Sequence, residues 1–276
     1  TTWNPPGKSN PTPALPRPAA QTRPMPTFRP LDPCRMALLP STSDALDGLL
    51  LVDKPAGPTS HDIVARIRRQ FRIPKVGHGG TLDPMATGLL IILLGKGTKI
   101  SERVMGHDKT YVGVFRLGVE TDSQDADGRV VAEKDASGVT VAQVAEQMHA
   151  RLGDQMQMPP MVSAIKVQGV PLYKLARKGQ TVERPPKLIH LYRFDLLAFS
   201  PPDVRFAVEC TKGTYVRTLA HDIGQALGVG AHLTELRRTR IGPFDVAQAA
   251  PLDELIARPS LADRIVPLAA ALPLLA

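Results

Sequence analysis

The residue types that could do chemistry in this 276-residue chain are concentrated in one segment, Gly77-His-Gly-Gly-Thr-Leu-Asp-Pro-Met-Ala-Thr-Gly88. Asp83 stands in it with a proline behind, which stiffens the backbone, and small residues around, which let a bulky substrate approach. A carboxylate held in such a place can serve as a nucleophile or a base. Burying it requires a compensating cation. On its own, Leu82-Asp-Pro-Met also reads as a plain capped turn, so the dipeptide does not decide the matter. Other chemistries fail on spacing. Gly95-Lys-Gly-Thr98 has Leu90 where a phosphate loop needs its first glycine. Gly77–Gly80 lacks the dinucleotide spacing and leads into a turn rather than a helix. There is no Gly-x-Ser-x-Gly elbow, no His-Glu-x-x-His and no Cys-x-x-Cys, so neither a metal nor a cofactor is expected.

The elements that must position this loop can be read on either side of it. Gly48–Val52 predicts a buried strand, and 53–58 a rigid turn. Thr59 or Ser60 then caps an amphipathic helix with Ile63, Val64, Ile67 and Phe71 on one face. Residues 74–88 show no apolar period and predict a long ordered loop. Gly88–Leu94 predicts a buried strand, with a short helix near Lys99–Met105. Lys109–Gly118 alternates as a strand, Asp125–Gly128 turns into a second one over Arg129–Glu133, and Thr140 caps a helix reaching about Leu152. Further strands are expected at Val162–Val167, Leu188–Phe199, Val204–Thr211 and Ala231–Ile241. A helix over Thr214–Leu227 ends at Gly228. Such an order favours an α+β fold with much antiparallel pairing over alternating βαβ units.

Composition narrows the class. Lys+Arg exceed Asp+Glu by 34 to 26, a formal +8 that suits a polyanion such as nucleic acid. Residues 1–45 hold 11 of the 27 prolines and supply +3 of that charge. They predict a disordered tail. The chain begins with Thr1, and Met36 lies just before the first folded-looking segment, so the native start is expected near Met36. Two cysteines, Cys34 and Cys210, cannot form a disulfide scaffold. The longest apolar run, Leu89–Leu94, is far short of the ~20 residues a bilayer requires. A soluble, cytoplasmic protein is expected.

The string Gly-His-x-Gly-Thr-Leu-Asp-Pro-x-Ala-Thr-Gly-x-Leu strongly resembles the catalytic motif of the TruB family, the bacterial tRNA pseudouridine synthases. Other blocks match in family order over residues 47–241. They are Leu51-Val-Asp-Lys54-Pro-x-Gly57 with Thr59-Ser60; Lys109-Thr-Tyr111; Pro159-Pro-Met-Val-Ser163-Ala-Ile-Lys166 with Leu172-Tyr173; Cys210-Thr-Lys-Gly213-Thr-Tyr215-Val-Arg217; and Gly230-Ala-His-Leu with Leu236-Arg-Arg238.

The resemblance implies a pseudouridine synthase fold, a mixed and largely antiparallel central sheet flanked by helices. It implies Asp83 as the residue that attacks the uridine, at base or sugar, and Arg217 as its ionic partner. His78, Tyr111, Tyr215 and Leu236 then hold the flipped nucleotide, with Tyr111 stacking on the base. Lys54, Lys166, Arg237 and Arg238 become candidate RNA contacts. By residue type alone, Tyr111 is a strand aromatic, Tyr215 and Arg217 a capped helix start, Leu236 core, His78 a turn residue, and the three arginines among 237–240 a solvated face.

The implied activity is isomerisation of uridine 55 in the T loop of tRNA, with the T arm as partner and neither an obligatory protein partner nor a second copy. The alternatives are a tRNA-folding chaperone with secondary catalysis, or a synthase acting on another RNA. Gly79 departs from the family's usual Thr or Ala, and Ile165 from its Leu. The catalytic domain is expected over 46–250. Residues 251–276 are expected as an apolar stub where the family usually continues into a small PUA-type RNA-binding domain.

Overall fold

Gly48–Lys54 (β1) carries the run Leu49–Val52, buried throughout, as befits a strand covered on both faces. The computed structural model describes residues 46–161, 163, 166–167, 170–171 and 182–276. The Pro-rich stretch with Met36 and half of the strand expected over Val162–Val167 lie outside the described residues. Helix α1 (Ser60–Phe71) starts at Thr59, whose hydroxyl accepts from the Asp62 amide while the Asp62 carboxylate accepts from the Thr59 amide. It buries Ile63, Val64 and Ile67.

The segment expected as loop opens with a short strand, Val76–His78 (β2), antiparallel to Thr87–Leu94 (β3). Three residues are too few to show a period. A 3-10 turn over Gly95–Ile100 and helix α2 (Ser101–Gly106) follow. Lys109–Leu117 (β4) buries alternate residues, Tyr111 among them. Val119–Thr121 (β5) pairs with Val130–Glu133 (β6) around the turn at Asp125. Helix α3 (Val141–His149) stops short of Leu152 because the chain turns there into Gly153–Gln157 (β7), a mainly polar edge strand without an apolar signature. Lys166–Val167 (β8) and Val170–Pro171 (β9) pair with each other. Lys187–Ser200 (β10), Asp203–Cys210 (β11), helix α4 (Val216–Ala226) and Ala231–Ile241 (β12) complete the body.

The chain then runs through Phe244–Asp245 (β13), Ala250–Pro251 (β14), helix α5 (Leu252–Ala257), Ile265–Pro267 (β15) and helix α6 (Leu268–Leu274). The main sheet has the order β14-β1-β3-β12-β4-β11-β10-β7. Among the described residues, only the β1–β14 and β3–β12 pairings within it are parallel. The fold is thus α+β with a largely antiparallel sheet, as expected. Strand alternation sends Leu50 and Val52 to one face, into the core that also buries residues of α1, α3, α4 and α5, and Leu49 and Leu51 to the other, into a second core with Val104 of α2 and Ala271 of α6. Residues 251–276 are tied into the body: β15 pairs with Gly48–Leu50 of β1, and α6 packs on the second core.

Candidate active site

Asp83 lies in the turn between β2 and β3, and the peptide groups on both sides of it are pinned. The Ser60 hydroxyl, at the start of α1, accepts from the Leu82 amide at 2.8 Å and lies 3.1 Å from the Leu82 carbonyl. The Lys54 ammonium donates to the carbonyls of Pro84 at 3.0 Å and Ala86 at 2.6 Å, and to Pro55 at 2.9 Å. From β12, Arg238 donates to the carbonyls of Leu89 (2.8 Å), Thr81 (3.2 Å) and Gly80 (3.1 Å). Lys54 is 0% and Arg238 1% exposed, so neither stands on the surface as a contact for an RNA backbone. Both cations serve the loop instead, saturating carbonyls that a Gly/Pro-rich turn leaves without ladder partners. Burial pulls the Lys54 ammonium down to about 8, with Asp83 opposing and Arg238 adding to the fall.

The carboxylate faces Arg217, from the first turn of α4. The guanidinium is 3.6 Å from Asp83 and makes a closer contact, 3.0 Å, with Asp125. Arg217 and Asp125 side chains are each only 4% exposed, while that of Asp83 is 36% exposed and open to the cavity. Asp125, which the sequence presents only as a turn residue, is itself held. One of its oxygens accepts from the Ser123 hydroxyl and the Asp127 amide, its carbonyl accepts from the Thr121 hydroxyl at 2.7 Å, and the other oxygen faces Arg217. Low-polarity surroundings raise the Asp83 carboxyl above the usual carboxylate range. Arg217 opposes that rise, and Asp125 and Asp127 add to it.

A cavity of about 340 Å³ opens over this carboxylate, within the size range of small-ligand pockets. Its walls include Asp83, Tyr111, Tyr215, Arg217, Leu236 and Arg238, six of the residues singled out from the sequence. Tyr111 reaches it from β4, and burial pushes its phenol above the ordinary range. Tyr215 stands just before α4, its ring 5.8 Å from the Arg217 guanidinium carbon. No side chain caps this helix. Gln157 of β7, which is buried, grips the Tyr215 backbone instead, accepting from its amide at 2.8 Å and donating to its carbonyl at 3.0 Å. Lys109 and Met105 also line the cavity, although only the first belongs to a sequence motif.

His78 is not part of this lining. Its ring accepts from the Gly80 amide at 3.4 Å, and burial depresses its pKa below the ordinary imidazole value. Arg237 points away from Arg238, as neighbours on a strand do, and makes a two-pronged ion pair with Asp53 at 3.0 and 2.7 Å. Lys166 belongs to β8, but its side chain lies outside the described residues.

The sequence model described as TruB family pseudouridylate synthase (N terminal domain) matches residues 68–216, and the one described as tRNA pseudouridylate synthase B C-terminal domain matches residues 217–272. The chain is 53% identical to tRNA pseudouridine synthase B of Opitutus terrae over 230 residues, 83% of this chain and 95% of that protein. This chain belongs to the TruB family. It is also 51% identical to the protein of the same name from Syntrophotalea carbinolica, over 76% of this chain and 69% of that one. Among solved structures it resembles a chain of a Cbf5-Nop10-Gar1 complex, with 34% identity and a TM-score of 0.63, covering 79% of this chain. It likewise resembles a chain of an H/ACA RNP bound to a substrate RNA containing 2'-deoxyuridine, with 28% identity and a TM-score of 0.64 over 86% of this chain. The match spans 56% and 64% of those two chains. The fold is that of the pseudouridine synthases. The second TruB match begins at Arg217, so the cation facing Asp83 belongs to the C-terminal one.

Proposed function

We propose that this TruB protein isomerises uridine to pseudouridine at position 55 in the T loop of tRNA, with Asp83 attacking the uridine. The observation that carries the reading is one open carboxylate facing a nearly buried guanidinium inside a cavity walled by two tyrosines. The reaction is an internal exchange. The bond between C1′ and N1 breaks, the uracil turns, C1′ joins C5, the C5 proton leaves and N1 gains one. A detached uracil must stay in place while it turns, which suits a small enclosed pocket. Asp83 must be ionised to attack, and Arg217 favours that form against its surroundings. Extruding the base costs a few kcal/mol. A stack on Tyr111 returns about 1–3 kcal/mol of it. Leu236 and Tyr215 close the pocket, and His78 supports the loop. Arg237, partly exposed, remains a candidate for phosphate contact, as does Lys166. On this reading the protein works as a monomer on the T arm in the cytoplasm. Residues 46–250 supply the catalytic domain, braced by 251–276.

The test is tritium release from 5-tritiated uridine in a tRNA transcript. Wild type should release it, and Asp83→Asn should lose more than ~10³-fold in rate while still binding tRNA. Equal release from both proteins would remove Asp83 from its role. Binding without release from either would favour a folding chaperone.

A further inference from the structure

We infer that Arg238 is a positioning residue for this reaction: its guanidinium ties the Asp83 loop to the Tyr111 hydroxyl and so sets where carboxylate and aromatic ring stand relative to each other. The inference rests on the reading above, in which both groups meet the flipped uridine. Three observations carry it.

First, Arg238 and Tyr111 are directly opposite each other in the β12–β4 ladder. Directly opposite residues of a ladder send their side chains to the same face, and both Arg238 and Tyr111 line the cavity over Asp83. Second, the same guanidinium reaches the carbonyls of Gly80, Thr81 and Leu89, two on the Asp83 loop and one on β3. These use three of its five N–H donors and leave others for the phenol oxygen. Third, the Arg238 backbone is itself fixed against that loop. Gly88, at φ +97°, leaves no room for a side chain, since a Cβ there would come within 2.3 Å of the Arg238 carbonyl. One planar group thus bridges the loop, β3 and β4.

The chemistry of the residue fits the task. A cation 1% exposed, with no carboxylate in contact with it among the described residues, is costly to keep. An apolar residue could fill the volume, and a lysine could carry the charge, but only a rigid fork addresses several oxygens at fixed angles. Its charge also opposes the rise that burial imposes on the Tyr111 phenol. A residue that merely propped up the fold would have no reason to be coupled to that hydroxyl.

The experiment is a double-mutant cycle with Arg238→Lys and Tyr111→Phe, read by single-turnover tritium release and by tRNA filter binding. Arg238→Lys should lower the single-turnover rate about 10- to 100-fold, with tRNA affinity held within about twofold. In the Tyr111→Phe background the same change should cost at least about fivefold less, because the group it orients is gone. Equal losses in both backgrounds, or a loss confined to tRNA affinity, would overturn the proposal. A second measurement needs no change at Arg238. The guanidinium ¹⁵N resonances of Arg238 should shift, and its N–H protons exchange faster, in Tyr111→Phe than in wild type; unchanged resonances would overturn the proposal. Absence of tritium release from wild type would count against the proposed function instead, leaving the resonance test of the Arg238–Tyr111 link standing on its own.

Discussion

Replacing Asp125 with alanine should expose how the active site divides one cation between two carboxylates. With an effective dielectric of about 20, the 3.0 Å contact from Arg217 to Asp125 is worth about 5.5 kcal/mol of gross attraction, and the 3.6 Å contact to Asp83 about 4.6 kcal/mol. Desolvation of the buried groups consumes much of both. Removing one partner of a buried pair typically costs 3–5 kcal/mol when the other charge is left bare. Here Asp83 remains beside Arg217, so Asp125→Ala should cost about 3 kcal/mol, the lower end of that range. For a body of this size that is a fall in Tm of about 6–12 °C.

The second effect has the opposite sense for Asp83. Asp125 is one of the negative charges that raise its carboxyl, so removing it leaves Asp83 easier to ionise. The acidic limb of the kcat/KM profile should therefore move to lower pH. Asp125→Asn, which keeps an acceptor for Ser123, should shift the limb the same way with a smaller loss of Tm. Thermal melts by circular dichroism and tritium release across pH 4–8 would measure both. A Tm within about 2 °C of wild type, or an acidic limb that stays put or moves upward, would refute the shared-cation account.

Three further outcomes follow from other parts of the molecule. Gly88→Ala should destabilise by about 3 kcal/mol or more, because it combines a left-handed backbone with a Cβ driven into the β12 backbone; a melt unchanged from wild type would contradict the packing described. Thr59→Ala should cost ~1 kcal/mol by uncapping α1, with urea denaturation as the readout and Thr59→Ser restoring most of the loss. Lys109 donates to the carbonyls of Met105 at 2.7 Å and His107 at 2.5 Å, and burial pulls its ammonium down to about 8 from 10.5. Between those two values the unfolded chain binds more protons than the folded one, so folding gains stability as pH rises through the window. The stability of wild type relative to Lys109→Met should therefore grow from pH 7.5 to pH 10 in urea titrations, Lys54 titrating equally in both; a relative decline would reverse the sign of the argument.

Much of the site was legible because catalysis constrains residue type and order together. Asp83, Tyr111, the pair Tyr215 and Arg217, and Leu236 come from four separate blocks of the sequence, yet the blocks could be read one by one, and these residues line one cavity. Long apolar or alternating segments such as β1, β4 and β12 were equally plain. What escaped was the direction each charge points. Arg237 and Arg238 read as one basic face, but the pleat sends them to opposite sides, Arg237 to Asp53 and Arg238 to the loop. A register shift between Arg238 and Arg240 further breaks the pattern. The resemblance made Lys54 a candidate RNA contact, and nothing local announces that three carbonyls will converge on it. Asp125 was hidden in a turn, since its partner Arg217 lies 92 residues away. Strands β2 and β5, with three residues each, and the polar β7 carry too little pattern to be seen.

The first strand of the body is bordered on one side by β3 and on the other by residues made about two hundred positions later. At a translation speed of 5–20 residues per second, about 10–40 s separate the synthesis of β1 from that of β15. Throughout that interval the nascent polypeptide holds out a greasy ribbon with one row of amides and carbonyls unmet. Nascent-chain chaperones have that long to shield it. A ribosome stalled before position 265 would leave its product with an open flank prone to self-association.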